Sequence, residues 1–175
     1  MNLVVWHESS LRKPYRQWKD LEERISWCNE RNAAHLKEDE QAKAAMELIG
    51  VGLVTASTVV ATVGDFHQFR NGAQFGAWLG LTPRQNSSGG RSNLGGIAKR
   101  GDTYLRTLLI QGAKSAVMTA HMRNAPISKW LYQLRERSDW QKAAVAMVNK
   151  NARILWAVMT KGCQFDARHT SLRPI

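Results

Sequence analysis

A chain of 175 residues can bury a real core, and a 43% apolar share with seven tryptophans argues against a disordered polymer. Two distant cysteines, Cys28 and Cys163, support neither a disulfide framework nor a zinc site and fit a reducing cytoplasm. A formal charge of +11 points to a polyanionic partner, with a merely solubilising basic face as the alternative.

The first ten residues, MNLVVWHESS, lack the basic start and long apolar run of a signal peptide, so none is expected. Residues 1–17 contain Pro14 and no clear period, which predicts a weakly structured leader or junction. Trp18, Leu21, Ile25 and Cys28 then follow 3-4-3 spacing among charged residues. That spacing predicts an amphipathic connector over 18–47, able to pack on a partner but too short for a secure coiled coil. His35 has no second ligand at helical spacing and reads as solvent-facing or half-buried.

Residues 47–65, ELIGVGLVTASTVVATVGD, predict a helix end, a tight glycine turn and a second helix. Gly50 and Gly52 leave backbone N–H groups exposed at a helix start, where the dipole favours a phosphate. The pattern resembles a helix-hairpin-helix element, a holder of DNA backbone; a plain inter-helix turn is the alternative. The dinucleotide fingerprint fails, because its third glycine and a preceding strand are missing. Small and hydroxyl residues throughout 48–63 argue against a membrane span.

Phe66, Phe69, Phe75, Trp78 and Leu79 are expected in the core, on a short helix ending near Gly80. The next segment, RQNSSGGRSNLGGIAKRG at 84–101, is a Gly/Ser-rich loop with room for a short β-hairpin. Asp102 is a predicted N-cap for a helix carrying Leu105, Leu108, Leu109, Ala113, Ala116 and Val117 on its core face. A further helix is expected over 128–137. A last one, capped by Ser138-Asp139, should stop at Gly162, leaving 163–175 as a tail. The fold class is therefore mainly α.

Charge is concentrated in the second half. Residues 1–48 balance to −1 and 49–83 to zero, whereas 84–153 carry +10 and the tail +2. Within the loop, Arg84, Arg91, Lys99 and Arg100 could hold a phosphodiester, and glycines permit close backbone approach. Ser87 or Ser88 could then act as a nucleophile, provided something activates the hydroxyl. No carboxylate cluster lies in the basic half, so metal-assisted chemistry needs acids from elsewhere. GGRSNLGG has the four-residue gap of a P-loop but lacks its Lys-Ser/Thr, which argues against nucleotide hydrolysis. In the last helix Lys150 and Arg153 form part of a cationic side.

The run from LIGVGLVTASTVVATVGDFHQF to GDTYLRTLLIQGAKS, continued by VAMVNKNARILWAVM, closely resembles the C-terminal domain of the IS-one-ten family of insertion-sequence transposases. Its nearest subgroup is the IS-eleven-eleven type, and the match spans about 46–162. The resemblance implies a Piv-like DNA recombinase guided by a bridge RNA, in which an N-terminal RuvC-like domain supplies four acids and Mg²⁺. It also implies a phosphoserine link to DNA through Ser88, with Ser87 as runner-up. Lys99, Gly101, Leu105 and Arg106 match a signature expected around the DNA phosphate. Gly50, Gly52, Arg84, Arg91, Arg100, Lys150 and Arg153 complete the expected DNA-binding set. Family members are roughly twice as long, and the acidic domain is absent from this sequence.

Three readings follow. The first is a truncated, nucleoid-associated bacterial transposase that binds DNA but cannot recombine it alone, so that Mg²⁺ enters only with a RuvC-like domain supplied elsewhere. The second is a non-catalytic nucleic-acid-binding module that pairs with full-length transposase or forms homo-oligomers. The third is a structural helical protein with a solubilising basic face.

Overall fold

A computed structural model of the chain describes residues 3–85, 93–162 and 165. It is mainly helical, with one two-stranded antiparallel hairpin among the described residues. Helix α1 (Leu3–Leu36) continues past Pro14, and α2 (Glu40–Met46) follows after a break capped by Asp39. The Asp39 carboxylate accepts from the backbone N–H of Gln41 and Ala42, satisfying donors that a helix start leaves unpaired. The expected weakly structured leader is corrected: the helix begins at Leu3. A proline removes one internal hydrogen bond, yet the helix continues on both sides of Pro14.

Side chains from 11 to 31 on α1 are all exposed, and burial begins only near Leu36. Here α1 meets α2 and α3 (Leu53–Val63), so the helix is rooted at one end. Ala42 and Ala45 of α2 are buried, which makes that short helix part of the packed body.

The body is built around α7 (Trp140–Lys161), which packs on α4 (Gly72–Trp78) and α5 (Thr103–Met118) and also meets α2 and α6 (Pro126–Arg137). Its 22 residues bury Ala143, Ala144, Met147, Val148, Ala152 and Leu155, close to the face that the apolar period predicts. Gly162 ends it in the left-handed conformation, φ 60°, as a C′ glycine should. Asp102 and Asp139 cap α5 and α7 through the N–H of Leu105 and Gln141, as expected. Helix α6 starts at Pro126, two residues before the predicted start, with the proline where its missing N–H costs nothing.

The aromatic residues are core, as their spacing suggests. Phe75 is fully buried, with Phe66 edge-on at 5.3 Å between centroids and Trp78 stacked at 5.9 Å. Strand β1 (Pro83–Gln85) pairs with β2 (Leu94–Ile97), with Pro83 opposite Ile97 and Gln85 opposite Leu94 and an irregularity between them. The hairpin for which the sequence left room is therefore present.

Candidate nucleic-acid interface

The hairpin leaves the body through a double-backed turn. After α4 the chain reverses at Gly80, and the N–H of Leu81 donates to the Gly76 carbonyl at 3.0 Å. The returning strand then lies along this first turn. Ala98 N–H donates to Thr82 at 2.7 Å, and Lys99 N–H donates to Gly80 at 3.0 Å. Two backbones in such contact leave no room for side chains between them. A Cβ on Gly101 would overlap the Trp78 carbonyl oxygen, and φ there is 143°, a conformation that L side chains rarely adopt. Lys99 itself holds φ 57°, uncommon for a non-glycine residue.

Arg106 fastens the two turns together from below. It is only 6% exposed. Its Nη1 donates to the Leu79 carbonyl at 3.2 Å, with longer contacts of 3.5 Å to the carbonyls of Gly101 and Asp102. Its Nη2 donates to Thr103 Oγ1 at 3.2 Å. The planar fork of guanidinium donors suits several convergent carbonyls, which a lysine could not satisfy in the same way. Arg106, expected around the DNA phosphate, has its side chain inside, bonded to the turns that carry Lys99 and Arg100.

Arg84, Lys99 and Arg100 are exposed around this base, and none enters an ion pair among the described residues. Ser87, Ser88 and Arg91 lie outside the described residues. Tyr104, which the sequence reading passed over, is 62% exposed on the first turn of α5, directly after this basic turn. An aromatic next to Lys99-Arg100-Gly101 was the available signal.

The glycine turn does two different things. Gly50, φ 85°, presses against α5, where its own Cβ would come within 2.8 Å of the Gly112 carbonyl oxygen. Gly52 is the N-cap of α3; it is exposed, faces open space and offers no side-chain cap to the N–H groups behind it. Gly50 is therefore packed against α5, whereas nothing packs against Gly52 on the side a Cβ would take. Gly112 follows Arg106 by six residues on α5, so the glycine turn and the hairpin base lie about 9 Å apart along that helix.

Helix α7 ties these turns from the other side. Asn151, 2% exposed, donates from Nδ2 to the Ile49 carbonyl at 3.0 Å, while its Oδ1 has no hydrogen-bond partner among the described residues. Asn149 Nδ2 reaches the Leu81 carbonyl at 3.5 Å, and Trp156 Nε1 donates to Phe69 at 2.9 Å. Lys150 Nζ lies 4.8 Å from the centre of the Trp130 ring on α6, and burial pushes its ammonium below its ordinary pKa. Arg153 is exposed, but its Cα abuts Gly72 of α4.

Among the described residues no three His, Cys, Asp or Glu side chains converge, so the groups present do not fit a Mg²⁺ site. No helix among them is long and apolar enough to cross a membrane.

The fold and this surface define a helical protein with a clamped, cation-rimmed hairpin. Residues 42–130 match the Transposase IS116/IS110/IS902 family, and the chain belongs to it. It is 46% identical over 151 residues to the "Probable family 20 transposase" of Pseudomonas aeruginosa, covering 86% of this chain and 45% of that protein. It is 42% identical over 147 residues to the transposase for insertion sequence element IS1111A of Coxiella burnetii, covering 84% and 40%. It is 39% identical over 132 residues to the transposase for IS1328 of Yersinia enterocolitica, covering 75% and 40%. The chain thus spans less than half the length of these relatives.

Proposed function

We propose that this chain is the DNA-engaging C-terminal portion of an insertion-sequence transposase, with the hairpin base as its phosphate-binding surface and Ser88 as its nucleophile. The observation that carries the reading is the rim of Arg84, Lys99 and Arg100 on a backbone held rigid by Arg106. Cations on a preorganised turn can meet charge developing on a phosphoryl group without reorganising. Gln85 pairs with Leu94, and the segment between them in sequence contains Ser87 and Ser88. Tyr104 offers a face on which a base can stack. Gly52 adds backbone donors at the start of α3.

In the proposed reaction Ser88 Oγ attacks a DNA phosphorus, forming an O–P bond while one strand P–O bond breaks. The serine proton leaves to a base and the departing DNA oxygen gains one, so the exchange is balanced. Among the described residues no three carboxylate, imidazole or thiol side chains converge. We therefore assign activation, and any Mg²⁺, to a second polypeptide: a full-length transposase, working with a bridge RNA, that completes the site.

The test is covalent capture. The chain, a full-length relative, guide RNA and element-end DNA are combined, and protein–DNA adducts are resolved on a denaturing gel. An adduct of this chain that disappears with Ser88→Ala and persists with Ser87→Ala is expected. An adduct that survives Ser88→Ala removes Ser88 from the role, and cleavage by the chain alone removes the need for a partner. DNA binding without any adduct leaves a nucleic-acid-binding module and overturns the catalytic part.

A further inference from the structure

We propose that the outer face of α5 is a base-reading surface, which lies in the major groove of double-stranded DNA with Gln111 over an adenine. This rests on the nucleic-acid reading above and adds to it the side chains that distinguish one sequence from another. Tyr104, Thr107, Gln111, Ser115 and Met118 are exposed and step by three or four residues along α5. At about 3.6 residues per turn they fall within about 40° of one line, which runs for about 21 Å. The buried Leu105, Leu109, Ala113 and Ala116 occupy the opposite side.

No member of that line is charged, although residues 84–153 carry +10. The two charged residues of α5 are engaged elsewhere. Arg106 is buried beneath the hairpin base, and Lys114 Nζ lies 5.5 Å from the centre of the Trp140 ring. A surface that meets only phosphates gains from a cation at every exposed turn, whereas one that meets base edges needs neutral donors and acceptors. The side chains present are of the second kind. The Gln111 amide can pair with N6 and N7 of adenine through two hydrogen bonds, and Ser115 can donate to or accept from a base edge. The Thr107 hydroxyl donates to the Thr103 carbonyl at 2.7 Å, so its methyl is the group left for a thymine methyl.

Groups that hold DNA backbone border the line. The hairpin base, with Lys99 and Arg100, immediately precedes α5. Next to Gln111, the Gly112 carbonyl meets Gly50, which sets the glycine turn and the start of α3 beside the middle of the line. Phosphate contacts fix how a helix sits in the groove, and the residues between them read the bases. The groove, about 12 Å wide, admits one helix. A second protein is a poorer occupant, because Thr107, Gln111 and Ser115 offer little apolar area to bury at the centre of the line.

The test is selection of bound duplexes from a random-sequence pool by the full chain, followed by sequencing. The parent is expected to enrich duplexes with adenine at one fixed position, preferred roughly 5- to 150-fold over other bases, the span for one bidentate pair. Gln111→Ala should abolish the preference at that position alone. Binding to the unselected pool, its salt slope and the unfolding midpoint should stay as in the parent. Arg100→Gln should do the reverse, weakening binding to every duplex and keeping the preference. Duplex binding without any sequence preference overturns the proposal and leaves the hairpin rim as a phosphate surface. A preference that Gln111→Ala leaves intact overturns it too. So does a doubled mass in light scattering that Gln111→Ala halves, which assigns this face to a second copy. Failure to bind any duplex at low salt removes both the proposal and the reading on which it rests.

Discussion

Arg106 Nη1 donates to the carbonyl of Leu79, 27 residues away, at 3.2 Å, and this bond joins the turn that leaves the body to the turn that returns to it. Removing the guanidinium leaves buried carbonyls without their donor. Arg106→Met should cost about 2–4 kcal/mol in urea unfolding, from hydrogen bonds to a charged donor worth roughly 1.5–3 kcal/mol each. Arg106→Lys should recover only part, since an ammonium cannot serve the same fork of acceptors. A wild-type midpoint for Arg106→Met would show that the clamp contributes nothing.

Gly50 and Gly112 meet backbone to backbone, and a Cβ at Gly112 would overlap the Gly50 carbonyl oxygen. Gly112→Ala should therefore destabilise by about 1–3 kcal/mol, the range for overpacking a close contact. Gly52→Ala, facing open space, should cost no more than about 1 kcal/mol, the penalty of a poorer N-cap. Thermal denaturation distinguishes the two; equal losses would contradict the division between a packing glycine and an open one.

The exposed cations predict how binding responds to salt. Arg84→Gln, Lys99→Gln and Arg100→Gln should each leave stability unchanged. Each should flatten the slope of log K against log salt by about 0.9 for a lost phosphate contact on duplex DNA. Arg153→Gln, on the α4 side of α7, should change the slope less. Titration of a duplex at several salt concentrations decides this, and slopes unaffected by the three hairpin substitutions would remove the rim from the interface.

Tyr104→Ala should weaken binding to single-stranded DNA by about 1–3 kcal/mol, the range for stacking of a base on an aromatic ring. The salt slope should stay as it was, because no charge is lost. Tyr104→Phe should bind nearly as the parent does. Parent-like affinity for the alanine variant would show that the ring contacts no base.

Several elements were legible locally. Asp102, Asp139 and Gly162 announce helix ends because a cap needs one residue type at one position, whatever surrounds it. The core role of Phe66, Phe69 and Phe75 followed from helical spacing in an apolar segment. The start of α1 was misread because Pro14 is a breaker by type, while its effect depends on what the neighbouring turns can sustain.

The roles of like residues were not legible. Arg84, Arg100 and Arg106 are equivalent as letters in a basic block. Only the return of the chain against Leu79 buries one of them and leaves the others at the surface. Gly50 and Gly52 look alike in a turn motif, yet α5 crosses one and leaves the other open. Asn151 gave no signal, because its partner, the Ile49 carbonyl, lies 102 residues away. By itself the sequence determined a mainly helical, basic member of its family with capped helices and an apolar stripe on the first. Which cations are exposed, which glycines are contacts and which face of α1 is left uncovered were decided by tertiary structure. Burial is a property of what packs against a residue, and those neighbours are distant in the chain.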